Sequence, residues 1–398
     1  MEAYVVDWMN LLLRWLHVIT AIAWVGSSFY FVFLDNNLIK PKSADLLEKG
    51  VDGAMWAVHG GGFYNPQKYM VAPPKIHTDL HWFYWESYTT WLSGFALFTV
   101  SYLWQADAYL VDPNKWAMSS TLAVVLALAL LVGFWIIYDA LCRSLGQGKN
   151  GDLKVGVSVA FVVVLACWLT NQWFSGRAAF LLVGAMLGTA MSANVFFWII
   201  PGQRKVVAAM QSGQRVDPIH GKRGKQRSVH NTYFTLPVLF AMLSNHYSFL
   251  YSHEWNWVIL ALMMFSGAAI RQFFVMRHGY KHGRNRHPWP YALLGALVIA
   301  GVMVALKPLP SADLTSQLPQ QVTLLDIQPV MVQRCYACHG PEVQMKGLRF
   351  DDDAVIRQQA QSIYQQVAVL KLMPLSNSTG ITDVERALFA RWFEQGAR

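Results

Sequence analysis

Eight apolar runs separated by polar stretches dominate residues 1–306 of this chain, near 8–34, 82–104, 116–141, 153–172, 178–200, 229–250, 255–276 and 289–306. A helix needs about 20 apolar residues to cross a hydrocarbon core ~30 Å thick, and each run is close to that length. In lipid every backbone N–H and C=O must find its partner within the structure, a demand that helices meet locally. The runs therefore predict an all-α, polytopic membrane bundle of about eight transmembrane helices. Composition agrees: 54% of residues are hydrophobic and only 14% charged, well under the ~25% charged residues of ordinary soluble domains.

Loop charge supplies a second, independent reading. Nineteen Lys and Arg residues fall in loops one, three, five and seven, against Lys115 and Arg177 in the alternate loops. The fifth loop alone holds Arg204, Lys205, Arg215, Lys222, Arg223, Lys225 and Arg227. Basic loops stay on the cytoplasmic side, so both termini are expected outside. The net charge of +9 is then a topological signal, with the bilayer as partner and no nucleic acid implied. Ala21-Ile22-Ala23 mimics a signal cleavage site, but the apolar run continues to Leu34 with no basic stretch before it. The first run reads as a retained anchor.

After Leu306 the composition changes. "KPLPSADLTSQLPQQ" marks a linker over 307–323, and 324–398 forms a small exported domain. Its "RCYACHG" carries Cys335, Cys338 and His339 in the CxxCH spacing of c-type haem attachment. The two thiols are placed to add to the haem vinyl groups, and His339 to bind iron. A methionine on the other face would raise the reduction potential; Met373, followed by Pro374, is the candidate, with Met345 its competitor. A zinc clip lacks its remaining ligands, and a redox CxxC lacks its βαβ setting. "TDVERALFARWFEQGA" reads as an amphipathic helix with a Thr382/Glu385 capping box. Paired terminal helices around CxxCH and a distal Met resemble a small class I cytochrome c domain, and a covalent cofactor helps so small a core.

Ionisable groups inside spans are costly and mark function by default. Depth sorts them into two layers. The cytoplasmic layer holds Asp35, His81, Glu86, Asn194, His230, Asn231 and Arg271; the outer layer holds Arg14, His17, Asn171, Gln172, Asn245 and His246. His17 and His246 are candidate axial ligands of a non-covalent haem b, or they simply hydrogen-bond neighbouring helices. Glu86 and Arg271 are either an ion pair or a substrate site, with Glu86 or His230 handling protons. Asp139 is expected only to meet lipid headgroups. The aromatic first loop, "HGGGFYNPQKYMVAPPKIHTDLHWFYWE", either folds back as a lid or packs on headgroups.

Four stretches resemble the bacterial membrane-bound urate oxidases: "RWLHVITAIAWVGSSFYFVFLD", "HWFYWESYTTWLSGFALF", "SANVFFWIIPGQRKVV" and "HNTYFTLPVLFAMLSNHY". That family joins an eight-helix membrane domain to a C-terminal cytochrome c. The resemblance implies oxidation of urate to 5-hydroxyisourate without peroxide, in the bacterial inner membrane with the cytochrome domain periplasmic. A soluble cytochrome c or a terminal oxidase is then the electron acceptor. The haem motif of such a protein matches at Cys335, Cys338, His339 and Met373. For the membrane site the residues alone suggest Arg271 and Asn194 orienting the urate anion, with His230 or Glu86 accepting a proton. Electrons starting at the cytoplasmic layer must cross most of a ~30 Å core to reach an exported haem. Either a second haem relays them or urate binds in the outer layer. The rival readings are a dehydrogenase for quinol or another small reductant, and a membrane-tethered electron carrier.

Overall fold

The computed structural model describes residues 2–307 and 318–398. Most of the expected linker, 308–317, lies outside the described residues.

All eight runs are helical. They form α1 (Glu2–Asn37), α2 (Trp85–Phe98), α3 (Ser120–Leu145), α4 (Gly151–Trp173), α5 (Gly176–Asn194), α6 (Pro218–Leu243), α7 (Asn256–Lys281) and α8 (Trp289–Ala305). Two run on through a wider π turn, α2 over Thr99–Leu103 and α5 over Val195–Ile199, after which α5 continues as Ile200–Gln211. Five of the helices are long and apolar enough on their own to cross a membrane: α1, α3, α4, α5 with its extension, and α7. Helix α6 starts eleven residues before the expected 229, because its first three turns are polar and hydropathy registers only the apolar part. Its start is capped by Asp217, which accepts from the Ile219 N–H at 2.9 Å, as a helix with orphan amide donors requires.

Helix α5 is the axis of the bundle. Its face from Ala178 to Ala190 is almost wholly buried, and it packs against α3, α4 and α6. Helix α1 pairs with α2, and α7 with α6 and α8. Close approach is bought by glycine at two places. A Cβ on Gly176 would sit 2.1 Å from the Tyr251 carbonyl oxygen, and one on Gly267 would sit 3.2–3.3 Å from Leu236 and Pro237, where α6 carries its internal proline.

The first loop is not helical. Two short antiparallel ribbons form there, β1 (Gly53–Ala54) with β4 (Gln67–Lys68), and β2 (Ala57–His59) with β3 (Gly62–Tyr64). The loop is tied to the end of α1 by the Asp35–Lys68 pair and by the Ile39–Ala54 bridge. Arg284 of the seventh loop donates to the Asn36 and Leu38 carbonyls. Loops one and seven therefore share one end of the bundle.

The opposite end carries the C-terminal domain. Its helices α9 (Leu324–Arg334) and α10 (Asp383–Glu394) are joined by Arg334, which donates to Glu385 at 3.1 and 3.2 Å. The Thr382/Glu385 capping box forms as read, and α9 has its own, Thr323 with Asp326. Phe389 and Trp392 are fully buried, while Val384 and Leu388 are half-buried. The domain meets the bundle through Lys346 to Asp7 (2.5 Å), Asn114 Nδ2 to the Ser378 carbonyl (3.1 Å) and Ser248 Oγ to the Leu370 carbonyl (2.6 Å).

Candidate functional site

The CxxCH segment turns through a short helix, Tyr336–His339, directly after α9. Both thiols are free, Cys335 half-buried and Cys338 exposed. Burial pushes the Cys335 thiol up to about 12, so it is an unreactive thiol in this state. His339 is held below the usual imidazole range by burial, against the nearby Met345 and Leu348 carbonyls. Its Nδ1 is buried with no hydrogen-bond partner of good geometry. Cys335, Cys338, His339 and Met373 all line one cavity.

Met345 lines it too, but its turn hangs on the histidine segment through the His339–Gln344 bridge. Met373 comes from a separate loop, pinned where buried Arg386 donates to the Met373 carbonyl (2.9 Å) and the Val367 carbonyl (2.5 Å). Met373 thus reaches the cavity independently of the histidine segment. Paired free thiols, an adjacent imidazole and a thioether from a separate loop, all on one cavity, fit what a covalently attached haem needs. Among the described residues no three His, Cys, Asp or Glu side chains gather as a free-ion site.

The cavity does not stop at the domain. With a volume of about 1960 Å³, it continues into the bundle as a shaft between α1, α2, α5 and α6. The shaft passes Arg14, Arg177, Asn245 and His246 near the mouth, then His17 and Trp91, and ends at Thr235 and Met191. His17 Nδ1 lies 3.0 Å from the Thr90 carbonyl and 3.2 Å from Ser93 Oγ. A Cβ on Gly94 would be 2.7 Å from His17 Cε1, so the missing side chain makes the ring's berth. His246 sits beside Asn245, which accepts from Tyr102 Oη at 2.8 Å. Tyr102 is eight residues past Gly94, about 12 Å along α2. The two histidines share the cavity but are rooted at different heights.

The expected cytoplasmic layer is divided in the structure. One part is a closed network. Arg227 pairs with Asp139 at 2.6 Å and lies over the Tyr138 and Trp198 rings, and Trp198 donates to Asp139 at 2.7 Å. Asn194 donates to Tyr138 Oη (3.0 Å) and to Asn231 (2.9 Å), accepts from Arg227 (3.4 Å), and is fully buried. His230 Nδ1 is 2.9 Å from Tyr138 Oη and 3.7 Å from Cys142 Sγ. Asn231 donates to the Met191 carbonyl at 3.0 Å; Met191 lines the shaft, while the network's own side chains lie outside its lining.

Three expectations change here. Asp139 does not meet headgroups; it is a buried ion-pair partner. Arg227 is not a loop charge, for it is 2% exposed inside α6. Asn194 has its amide nitrogen and oxygen committed to protein partners, which removes it from direct contact with substrate. A basic run such as "GKRGKQR" looks like a solvated loop, and only the helix phase would have turned Arg227 inward.

Arg271 stands apart from that network. It is 5% exposed, its guanidinium lies 3.9 Å from the Phe29 ring centroid, and its Nε and Nη2 are buried without partners. The Glu86–Arg271 ion pair does not form, and among the described residues Arg271 meets no carboxylate. Glu86 is half-buried at the start of α2.

Long apolar helices packed around a shaft are the build of a membrane protein, and its first 306 residues carry that build. The chain belongs to the urate oxidase N-terminal family, whose model matches residues 3–307. Urate-related oxidation is the activity that this family defines. No curated protein and no solved structure matches the chain.

Proposed function

We propose that the protein is a membrane-bound urate oxidase that passes electrons from urate to a haem c on its own C-terminal domain and then to a soluble cytochrome c or a terminal oxidase. The observation that carries this reading is the single cavity that the CxxCH thiols share with the interior of the family-matched helices. Urate and one water yield 5-hydroxyisourate, two protons and two electrons. A haem c bound at Cys335 and Cys338 supplies a one-electron acceptor, used twice per urate.

The chain's own residues have three tasks. Arg271 offers unpartnered in-plane donors to a planar monoanion, the geometry that guanidinium recognises well. Phe29 covers one face of that guanidinium and fixes its plane. Glu86 and His230 accept the protons, His230 with its Nδ1 held by Tyr138. We place it in the bacterial inner membrane with the basic loops cytoplasmic and the haem domain periplasmic, a reading supported by the charge bias and by the domain's seat at the end away from loops one and seven.

The test is urate added anaerobically to purified membranes while the reduced c-type absorption band is followed. Reduction by urate, lost in Cys335→Ala and strongly slowed in Arg271→Met, is the expected result. Reduction by quinol and not by urate would replace the reading with a quinol dehydrogenase; reduction only by a partner protein would make the chain a tethered carrier.

A further inference from the structure

We propose that the shaft holds a second, non-covalent haem, its iron bound by His17 and its propionates turned outward to Arg14. The site goes beyond the urate reading and does not depend on which molecule supplies the electrons.

The histidine is prepared as a ligand. A metal-binding imidazole almost always donates its other ring N–H to a carbonyl or carboxylate, which fixes the tautomer and aims the free nitrogen. His17 Nδ1 makes that contact with the Thr90 carbonyl at 3.0 Å, and Ser93 Oγ supports it at 3.2 Å. Nε2 has no protein partner among the described residues, and the ring lines the shaft. Gly94 is the cradle: any side chain there would push the ring out of place.

The rest of the shaft matches a flat apolar macrocycle with acid groups at one end. Trp91, Phe95, Leu181 and Val238 supply apolar walls around the level of the histidine. Arg14 lies three residues outward from His17 on α1, about 4.5 Å of rise, and its side chain leans further toward the helix N-terminus. It donates to Asn10 at 3.0 Å through Nη2 and faces the mouth. Arg177 faces the same mouth from α5, its Nε buried without a partner. Trp91 donates to Thr189 at 3.2 Å, and Arg177 is rooted twelve residues outward of Thr189, about 18 Å of rise, so Arg14 is the guanidinium placed for a propionate. An ordinary small-molecule pocket reaches about 1,000 Å³, and this cavity is nearly twice that. One haem at its outer end leaves unexplained the continuation down to Thr235 and Met191. His246, rooted nearer the mouth, stands between the two haem positions. An electron entering low in the bundle then has a carrier midway to the exported domain.

The test separates the two haems chemically. Full-length protein is purified from membranes, and acid–acetone removes non-covalent haem while thioether-linked haem stays on the polypeptide. Wild type is expected to release one haem for each haem retained. His17→Gly should lose the extractable haem and keep the covalent one, which also reports a folded, inserted chain. Added imidazole should restore it, a rescue that a packing role for His17 would not give. Gly94→Val should lower the affinity for extractable haem by about 10–100-fold, as loss of an orienting contact does. A wild-type protein that releases no haem overturns the proposal, as does a His17→Gly protein that keeps it. Reduction with dithionite reads both haems, so failure of the urate activity leaves this result interpretable.

Discussion

The two cysteines of the haem motif differ more in setting than their spacing suggests. Burial lifts the Cys335 thiol to about 12, while Cys338 is exposed. In protein made without haem attachment, iodoacetamide at neutral pH should label Cys338 well ahead of Cys335, and mass spectrometry of tryptic peptides reads the ratio. Equal labelling would mean that the segment is not folded as described. The motif was legible because CxxCH is a covalent requirement at fixed spacing, independent of fold. Arg227 was not legible, since it lies in a basic run with its burial decided by the phase of α6 against α3 and α5. His17 lay between these cases: its depth could be read, but the Thr90 carbonyl and the Gly94 berth that aim it belong to the packing of α1 on α2.

Helices α3, α5 and α6 are held together by that misread arginine. Arg227 and Asp139 are both buried, and removal of one partner leaves an uncompensated charge, which costs about 3–5 kcal/mol. Arg227→Met should lower stability by that amount in detergent-solubilised protein followed by thermal unfolding. The double variant Arg227→Met with Asp139→Leu should recover most of the loss, because matched apolar groups replace a buried pair at little cost. A double variant as unstable as the single one would refute the pairing. Element existence was plain from the eight runs, and boundaries were less so. The polar start of α6 and the extension of α5 to Gln211 carry no hydropathy signal, and the ribbons of the first loop come from glycine turns at Gly60 and Gly61, both at positive φ, which glycine adopts freely.

Across the whole molecule, the small domain depends on carboxylates held ionised. Backbone and hydroxyl hydrogen bonds from Thr323 lower Asp326, and Lys371 lowers Asp383. Burial alone would raise Glu385, yet Thr382 and Arg334 bring it below the usual range. A depressed acid stabilises the fold fully above its unfolded value, near 4, and that stability is lost as pH falls through the folded value. Pepsin cleavage within 324–398 of the full chain should therefore rise steeply as pH drops below about 4. Uniform resistance down to the lowest pH at which pepsin acts would contradict it. The division of the chain at Leu306 was evident from composition, but the seat of the domain over the shaft was not. That seat rests on Asp7, Asn114 and Ser248, three unremarkable polar residues scattered along the sequence.

The docked domain turns its thiols, His339 and Met373 toward the bundle, so its other side is the one left to solvent. Any soluble protein that binds the molecule as it stands therefore meets the back of the domain and not the cavity-lining segment. The small domain is thus part of the shaft's own wall: Met331, Cys335, His339 and Met373 line the same cavity as His17 and Trp91.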